Sequence, residues 1–172
     1  VLGHEIVHAA ARHGAKAQER GTLIQVGMAA AQIGMAVSET NPQLGNLVLQ
    51  GAGLGAQLTM MKYGRDAELE SDLHGMRYMQ AAGYDPAAAV SLQEKFVALS
   101  QQRQGASGSQ GWLEGLFASH PPSAERGARN QQTLTTFAPG GDLGAESYRT
   151  RLAALRSAQP AYDKADAAME AA

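Results

Sequence analysis

The sequence predicts a mainly α-helical domain, and three observations support this fold class. Aromatic residues make up only 5% of the 172 residues, while alanine, glycine and methionine are common, which favours closely packed helices over a β-sandwich. Long segments of good helix formers contain no proline, and sequences typical of helix ends separate these segments. The chain length fits one ordinary domain with a sizeable core.

The first half of the chain is predicted to form three helices. The first covers residues 2–20, lacks proline and ends near Gly21. Two apolar stretches follow at residues 23–37 and 47–61, separated by a turn-like segment at residues 38–45. Each stretch is shorter than the roughly 20 apolar residues that a bilayer requires. We therefore expect two buried or half-buried helices rather than membrane spans.

The second half begins with a helix predicted over residues 66–82, which Gly83 closes as a left-handed cap. Asp85 and Pro86 then have the residue types of an N-cap and a first helical position, so the next helix should run from Pro86 to about Gln102. The remaining segments, in order, are a Gly/Ser-rich loop at residues 104–111, a helix at 123–134, a glycine-rich break at 138–144 and a helical tail at 145–172 that Pro160 interrupts.

Charge and composition exclude several classes of function. A net charge of -2 gives no electrostatic basis for binding nucleic acid or an anionic membrane surface. The absence of cysteine excludes disulfide frameworks and thiolate zinc sites, which leaves His, Asp and Glu as the strong metal ligands. The sequence starts at Val1 rather than at a methionine, so we expect it to be part of a longer chain.

The segment His4-Glu5-Ile6-Val7-His8 is an HExxH motif on a predicted helix. Residues four apart on a helix lie on the same face, so the imidazoles of His4 and His8 can reach one cation. Glu5 follows the first of these ligands, where its carboxylate can face a water on the metal without binding the metal itself. The alternative is a pair of surface histidines on an ordinary helix.

A catalytic zinc site needs a third protein ligand and an open position. The metzincin pattern requires a glycine and then a ligating histidine at fixed places soon after the second motif histidine, but those positions are Ala11 and Gly14 here. The other common source is an acidic residue on a later helix, and Glu68 and Asp72 lie four apart on one helix face. One of them can bind the metal while the other accepts an N–H from a ligating histidine. Without HExxH, a solvated acidic face would explain both.

A third group of polar residues surrounds His120-Pro121-Pro122. The prolines hold the backbone rigid beside the histidine, and Arg126 lies in the first turns of the next predicted helix. Peptide hydrolysis builds negative charge on an oxygen, and His120 with Arg126 can donate hydrogen bonds to it. A histidine at a helix start and a solvent-facing arginine would be the simpler explanation of these two residues alone.

Taken together, the motifs GHEIVHAAARHG at residues 3–14, YGRDAELESDLHG at 63–75 and SHPPSAERGARN at 119–130 resemble the gluzincin metallopeptidases of peptidase family M48. The resemblance implies that His4, His8 and Glu68 bind one Zn²⁺ per chain and that Glu5 is the catalytic base. It implies that Asp72 holds His4, and that His120 and Arg126 lie near the substrate carbonyl. It also implies that His120 can cap the zinc in a resting state.

The same resemblance implies a zincin-like catalytic domain at residues 1–137 that lacks an upstream sheet segment, followed by a helical extension at residues 138–172. It implies a zinc-dependent endopeptidase acting on unfolded or misassembled polypeptides in the bacterial periplasm or envelope, with membrane association of the parent protein. The alternative is a chaperone-like or scaffold module with a capped or structural zinc site. His13 lies off the predicted metal face and is expected to be a surface residue.

Overall fold

The computed structural model describes residues 1–38, 41–103 and 117–170, and within these ranges the mainly helical fold class is confirmed. Outside the helices, an isolated β-bridge joins Tyr84 to Asp142. The helices are α1 (Leu2–Ala10), α2 (His13–Val37), α3 (Pro42–Ala81), α4 (Ala87–Arg103), α5 (Ala124–Leu134), α6 (Ala145–Arg151) and α7 (Ala153–Glu170).

The prediction of a single helix over residues 2–20 is wrong. Helix α1 ends at Ala10, and the chain turns through Ala11 and Arg12 before α2 begins. Arg12 has a φ of 56°, in the left-handed region that a right-handed helix cannot contain. Helix α2 then runs through Gly21 without a break as far as Val37. The chain direction therefore changes directly after the HExxH segment.

Helix α3 is a single helix of 40 residues, about 60 Å long at about 1.5 Å per residue. It starts at the Asn-Pro sequence, where the Asn41 side chain accepts a hydrogen bond from the Gln43 amide at 2.9 Å. The predicted separation into helices at 47–61 and 66–82 is wrong, because the chain stays helical through Gly64. Gly83 has a φ of 83°, which confirms it as the left-handed residue after the helix.

The two apolar stretches at residues 23–37 and 47–61 are helical, as predicted, but their predicted burial is wrong. Leu23, Leu47 and Leu58 are between 66% and 72% exposed. Helices α2 and α3 pack against each other, and within the described part of the chain no further layer covers their outer faces. In the ranges that the structure describes, no helix has the combination of length and apolar character needed to cross a membrane.

The sequences predicted to start α4 and α5 are confirmed. Asp85 Oδ1 accepts a hydrogen bond from the Ala87 amide at 2.9 Å, and Ser123 Oγ accepts one from the Arg126 amide at 3.1 Å. Helix α4 packs on α5, and α5 packs on α3. These contacts hold residue 120, just before α5, beside the middle of α3.

The C-terminal residues form α6 and α7 after the predicted break at residues 138–144. The predicted interruption at Pro160 is wrong, because that proline lies inside α7. A proline in a helix removes one backbone hydrogen bond, and here the helix continues on both sides of it. The division into residues 1–137 and 138–172 stays a prediction, and the predicted loop at 104–111 lies outside the described residues.

Few side chains in the described ranges are fully buried, and most of the buried ones surround one place in the fold. The buried apolar side chains include Val7 and Met76, which lie where α1 crosses α3. The buried polar side chains are Glu68, Ser71, Gln93, Arg126 and Asn130. Burying polar side chains costs free energy unless they form hydrogen bonds or ion pairs. We therefore expect this group of buried polar side chains to have a functional role.

Helix α1 approaches α3 closely at two glycines. A Cβ atom added to Gly75 would lie 3.0 Å from the His4 nitrogen and 3.2 Å from its Cα, and one added to Gly3 would lie 3.0 Å from the Gly75 oxygen. These neighbours are backbone atoms, which cannot turn away as a side chain can. The missing side chains therefore allow His4 to lie directly against α3.

We expect Gly75→Ala to lower the free energy of unfolding by about 1 kcal/mol net, because overpacking costs about 1–3 kcal/mol and alanine returns about 1 kcal/mol of helix propensity. Gly64→Ala is the matched control on the same helix, since an added Cβ there meets nothing within 4 Å. It should stabilise the chain by up to about 1 kcal/mol. Urea unfolding of both variants measures the difference, and equal stabilisation by both would contradict the close approach.

Candidate metal centre

Four side chains from three parts of the chain bring one donor atom each to a common point. His4 and His8 come from successive turns of α1, Glu68 from the middle of α3, and His120 from the segment before α5. His8 Nε2 lies 3.0 Å from His4 Nε2 and 3.1 Å from Glu68 Oε1, while His120 Nδ1 lies 2.9 Å from the same oxygen. The four donor atoms all lie within 4.8 Å of one another.

These distances fit a tetrahedral divalent cation. Zinc bonds of about 2.0–2.2 Å place neighbouring ligand atoms about 3.4 Å apart, a value between the 2.9–3.1 Å of the closest pairs and the 4.8 Å within which all four donor atoms lie. Glu68 Oε2 is buried, and the two cationic groups beside it, His4 Nε2 at 3.3 Å and Arg126 Nη1 at 2.8 Å, form ion pairs with it that lack full hydrogen-bond geometry. A buried carboxylate oxygen in that condition is what a bound cation would satisfy. The donor set of imidazoles and one carboxylate is the kind that zinc takes.

Asp72 holds His4 in the orientation that this arrangement needs. His4 Nδ1 lies 2.9 Å from Asp72 Oδ1, so the proton on Nδ1 points to the carboxylate and Nε2 is left to face the other donors. Burial alone would lower the pKa of His4, but its hydrogen bond to Asp72 and the nearby Glu68 carboxylate outweigh burial and raise the pKa to about 9. In the metal-free chain, His4 therefore carries a second proton at neutral pH.

Asp72 is itself held by α5. Arg126 donates from Nε to Oδ2 and from Nη2 to Oδ1, both at 2.8 Å, and Asn130 donates to Oδ2 at 3.1 Å. Burial would raise the pKa of Asp72, but hydrogen bonds from His4 and Arg126 outweigh it and hold the pKa far below its usual range. Arg126 also donates to the Pro121 carbonyl oxygen at 3.2 Å, which ties the segment after His120 to the same centre.

Glu5 lies beside the four donor atoms without belonging to them. Its carboxylate is 44% exposed, and Oε2 lies 3.8 Å from His120 Nε2. A cavity of about 70 Å³ opens next to it, with Met76 and Phe96 among the apolar residues that line it. A larger groove of about 610 Å³ runs past His8 and His120 on another side.

Comparison with known proteins assigns the family. The family description Peptidase family M48 matches residues 1–133. The chain belongs to peptidase family M48. Among curated relatives, the beta-barrel assembly-enhancing protease of Escherichia coli strain K12 is 34% identical over 101 residues, which is 56% of this chain and 20% of the relative. The protein of the same name from Yersinia pestis is 32% identical over 99 residues, 55% of this chain and 20% of the relative.

This M48 chain thus spans about a fifth of the length of the curated relatives it matches. No solved structure matches it significantly. Membership places the chain in a family of peptidases, and its activity and any metal held by the four donor atoms belong to the proposal below. The roles assigned from the sequence to individual residues also stay predictions, although their positions can now be compared with the structure.

The M48 structure brings His4, His8 and Glu68 together and places Asp72 on His4, as the sequence suggested. His120 joins them as a fourth donor, which is compatible with the expected capping of the metal in a resting state. Arg126 has different neighbours from those predicted: three of its N–H groups donate to Asp72 and the Pro121 carbonyl, and Nη1 also lies 2.8 Å from Glu68. Its predicted contact with a substrate oxygen stays a prediction.

Two residues of the site were not found from the sequence of this M48 chain. Asn130 lies four residues after Arg126 on the same face of α5, and that spacing was the available signal. The prediction that His13 is a surface residue is wrong: its side chain is 10% exposed and its Nδ1 lies 3.1 Å from His8 Nδ1. No helical periodicity could place His13 there, because the helix breaks between the two histidines.

We expect zinc uptake by the metal-free M48 chain to release about one proton near neutral pH. His4, with a pKa of about 9, must lose its extra proton to bind a cation. Burial and the neighbouring His4 and His120 rings lower the pKa of His8. Burial would raise the pKa of Glu68, but the nearby His4 and the charge of Arg126 outweigh it and lower that pKa. Neither His8 nor Glu68 therefore adds a proton to the count.

The apparent zinc affinity should therefore rise about tenfold per pH unit up to about pH 9 and then level off. Titration calorimetry in buffers of different ionisation enthalpy counts the proton directly. Asp72→Asn serves as the comparison, because it removes the charge that raises the His4 pKa and should reduce the proton release. An affinity that does not change between pH 7 and 9 would contradict the assignment.

Proposed function

We propose that this chain is the catalytic part of a zinc-dependent endopeptidase. The observation that carries the proposal is the convergence of four donor atoms from distant segments beside a glutamate that does not join them. His4, His8 and Glu68 would hold the ion, with a zincin-like fold around them. When bound, zinc lowers the pKa of a water ligand to about 7 and polarises the substrate carbonyl.

Glu5 supplies the proton transfers. Its carboxylate accepts a proton from the attacking water and later returns it to the amine of the leaving peptide. Its partial exposure and its place at the edge of the apolar cavity leave room for a peptide next to it. Because Glu5 does not belong to the donor group, both of its oxygens remain available for this role.

His120 would have two positions in the reaction cycle. In the structure its Nδ1 fills the fourth donor position, which is where water must enter. We propose that this is a resting arrangement and that the segment of His120 moves aside when a substrate binds. The displaced imidazole then lies near the substrate carbonyl, where it can donate a hydrogen bond to the developing oxyanion.

The substrates and location follow from the relatives. Their printed names concern assembly of β-barrels, and transmembrane β-barrels belong to the bacterial outer membrane. We therefore propose unfolded or misassembled polypeptides as substrates and the bacterial periplasm or envelope as the location, with membrane association of the parent protein. The helices after residue 138 would be an extension outside the catalytic domain.

A binding module is the second candidate. The filled fourth donor position and the exposed apolar faces of α2 and α3 favour it, because a permanently closed site on an apolar scaffold could serve binding alone. An intact glutamate beside the donor atoms favours the enzyme, since a structural zinc site has no use for a base.

Cleavage of unfolded casein by the zinc-loaded chain, with and without a chelator, tests the proposal. We expect cleavage that stops with the chelator and returns when zinc is added. Glu68→Ala should behave like the chelator-treated chain and contain little zinc after dialysis, because it removes the carboxylate that closes the metal site. No cleavage by a zinc-loaded chain would favour the binding module. Full zinc occupancy in Glu68→Ala would instead mean that the third ligand is misassigned.

A further inference from the structure

We propose that His13 is a positioning residue that fixes which nitrogen His8 presents to the metal. The inference rests on the proposed function, because it concerns a ligand of the proposed zinc ion. It gives a role to His13, which has none in the proposed reaction. It also gives a reason for the break between α1 and α2, which brings His13 to His8.

The contacts of His13 form a chain that leads to His8. His13 Nδ1 lies 3.1 Å from His8 Nδ1, and the two rings meet edge to face with centroids 4.9 Å apart. On its other side, His13 Nε2 lies 3.3 Å from Glu70 Oε2. Ser71 Oγ lies 3.4 Å from His13 Nδ1. The His13 side chain is only 10% exposed, so these contacts restrict its ring.

The direction of these hydrogen bonds follows from the proton count of a neutral imidazole, which has one N–H and one bare nitrogen. His8 Nε2 faces Glu68 and His4, so it must be bare to bind a cation and the proton must be on Nδ1. Nδ1–H then donates to His13 Nδ1, which has to be bare. The His13 proton is therefore on Nε2, where the Glu70 carboxylate accepts it. Both imidazole N–H groups, on His8 Nδ1 and on His13 Nε2, thus meet an acceptor.

The break in the backbone is what makes this contact possible. In an unbroken helix, His13 would lie about 140° around the axis from His8, at about 100° per residue. The left-handed conformation of Arg12 instead returns the chain towards α1. Such a conformation costs a non-glycine residue on the order of 1–3 kcal/mol and persists only where surrounding contacts hold it. The His8–His13 contact is such a contact.

The two ligating histidines of α1 thus have partners of different chemistry. His4 donates to the Asp72 carboxylate, which Arg126 and Asn130 hold in place. His8 donates to a neutral imidazole, whose own partner Glu70 is half exposed. Partners of this kind typically change metal affinity by about 10–100-fold when they are removed.

Variants at His13 separate the hydrogen bond from packing. His13→Leu removes the acceptor but keeps an apolar side chain, while His13→Asn keeps an acceptor at a position comparable to Nδ1. We expect His13→Leu to weaken zinc binding about 10–100-fold by chelator competition and to change the d–d spectrum of the cobalt-loaded chain. His13→Asn should recover most of the affinity. His74→Leu is the control, a histidine of α3 outside the donor group.

Two outcomes would overturn the inference while leaving the proposed function intact. The first is zinc affinity of His13→Leu within about twofold of the parent, against the about 10–100-fold expected. The second is equal weakening by His13→Leu and His13→Asn, which would indicate packing alone. A parent chain that binds no zinc would instead overturn the proposed function.

A measurement on the unaltered chain covers the case in which His13→Leu does not fold. Long-range ¹H–¹⁵N spectra of the zinc-loaded chain distinguish the two tautomers of each histidine. We expect the proton of His8 on Nδ1 and that of His13 on Nε2. A proton on His13 Nδ1 would overturn the proposal, because two N–H groups would then face each other.

Discussion

Replacing Glu5 by glutamine is expected to lower kcat for peptide cleavage by about 10²–10⁴-fold while zinc stays bound. The amide keeps the size of the carboxylate but cannot accept a proton from water. Glu5 does not belong to the four-atom donor group, so the metal should keep its ligands. Single-turnover cleavage of a labelled peptide, together with zinc content after dialysis, measures both quantities on one sample.

Glu19→Gln is the matched control for this variant, because Glu19 is an exposed carboxylate of α2 outside the donor group. It should change neither kcat nor zinc content. If Glu5→Gln kept wild-type turnover, Glu5 would not be the residue that transfers the protons. Loss of zinc from Glu5→Gln would instead show that its carboxylate belongs to the metal site.

The parts of the site that could be predicted from the sequence depend on local geometry. His4 and His8 are one helical turn apart, so their convergence follows from the helix alone. The same holds for Glu68 and Asp72 on α3 and for the N-cap at Asp85, where the side-chain chemistry acts within a few residues. The mainly helical fold class could also be predicted, because helix formation depends on the propensities of neighbouring residues.

The parts that could not be predicted depend on contacts between distant segments. Neither Ala11 nor Arg12 is a glycine or proline, and the nearby Gly14 lies inside α2, so a positive φ at Arg12 becomes favourable only when tertiary contacts hold it. Gly64 resembles a helix end, yet α3 continues through it because packing along a long helix can outweigh a single glycine. Burial of residues 23–37 was predicted from their apolar composition, which does not show whether another layer covers them.

Replacing Arg126 by leucine is expected to lower the free energy of unfolding by about 3–5 kcal/mol, because it leaves the buried Asp72 carboxylate without its bidentate partner. Arg126 is 8% exposed and also lies 2.8 Å from Glu68, so its charge offsets two carboxylates in the metal-free chain. Arg126→Lys keeps the charge but cannot form the paired hydrogen bonds, and its loss should be smaller. Urea unfolding of the metal-free chain measures both.

The same variants distinguish a positioning role of Arg126 from direct contact with the substrate oxygen. Because Arg126 contacts Asp72 and the Pro121 carbonyl, its loss should loosen His4 and the segment of His120 together, weakening zinc binding as well as stability. The exposed Arg129, on the same helix, is the control, and Arg129→Leu should change stability by no more than about 0.5 kcal/mol. If Arg126→Lys kept full stability and zinc affinity but lost turnover, the guanidinium would act on the substrate, as the sequence alone suggested.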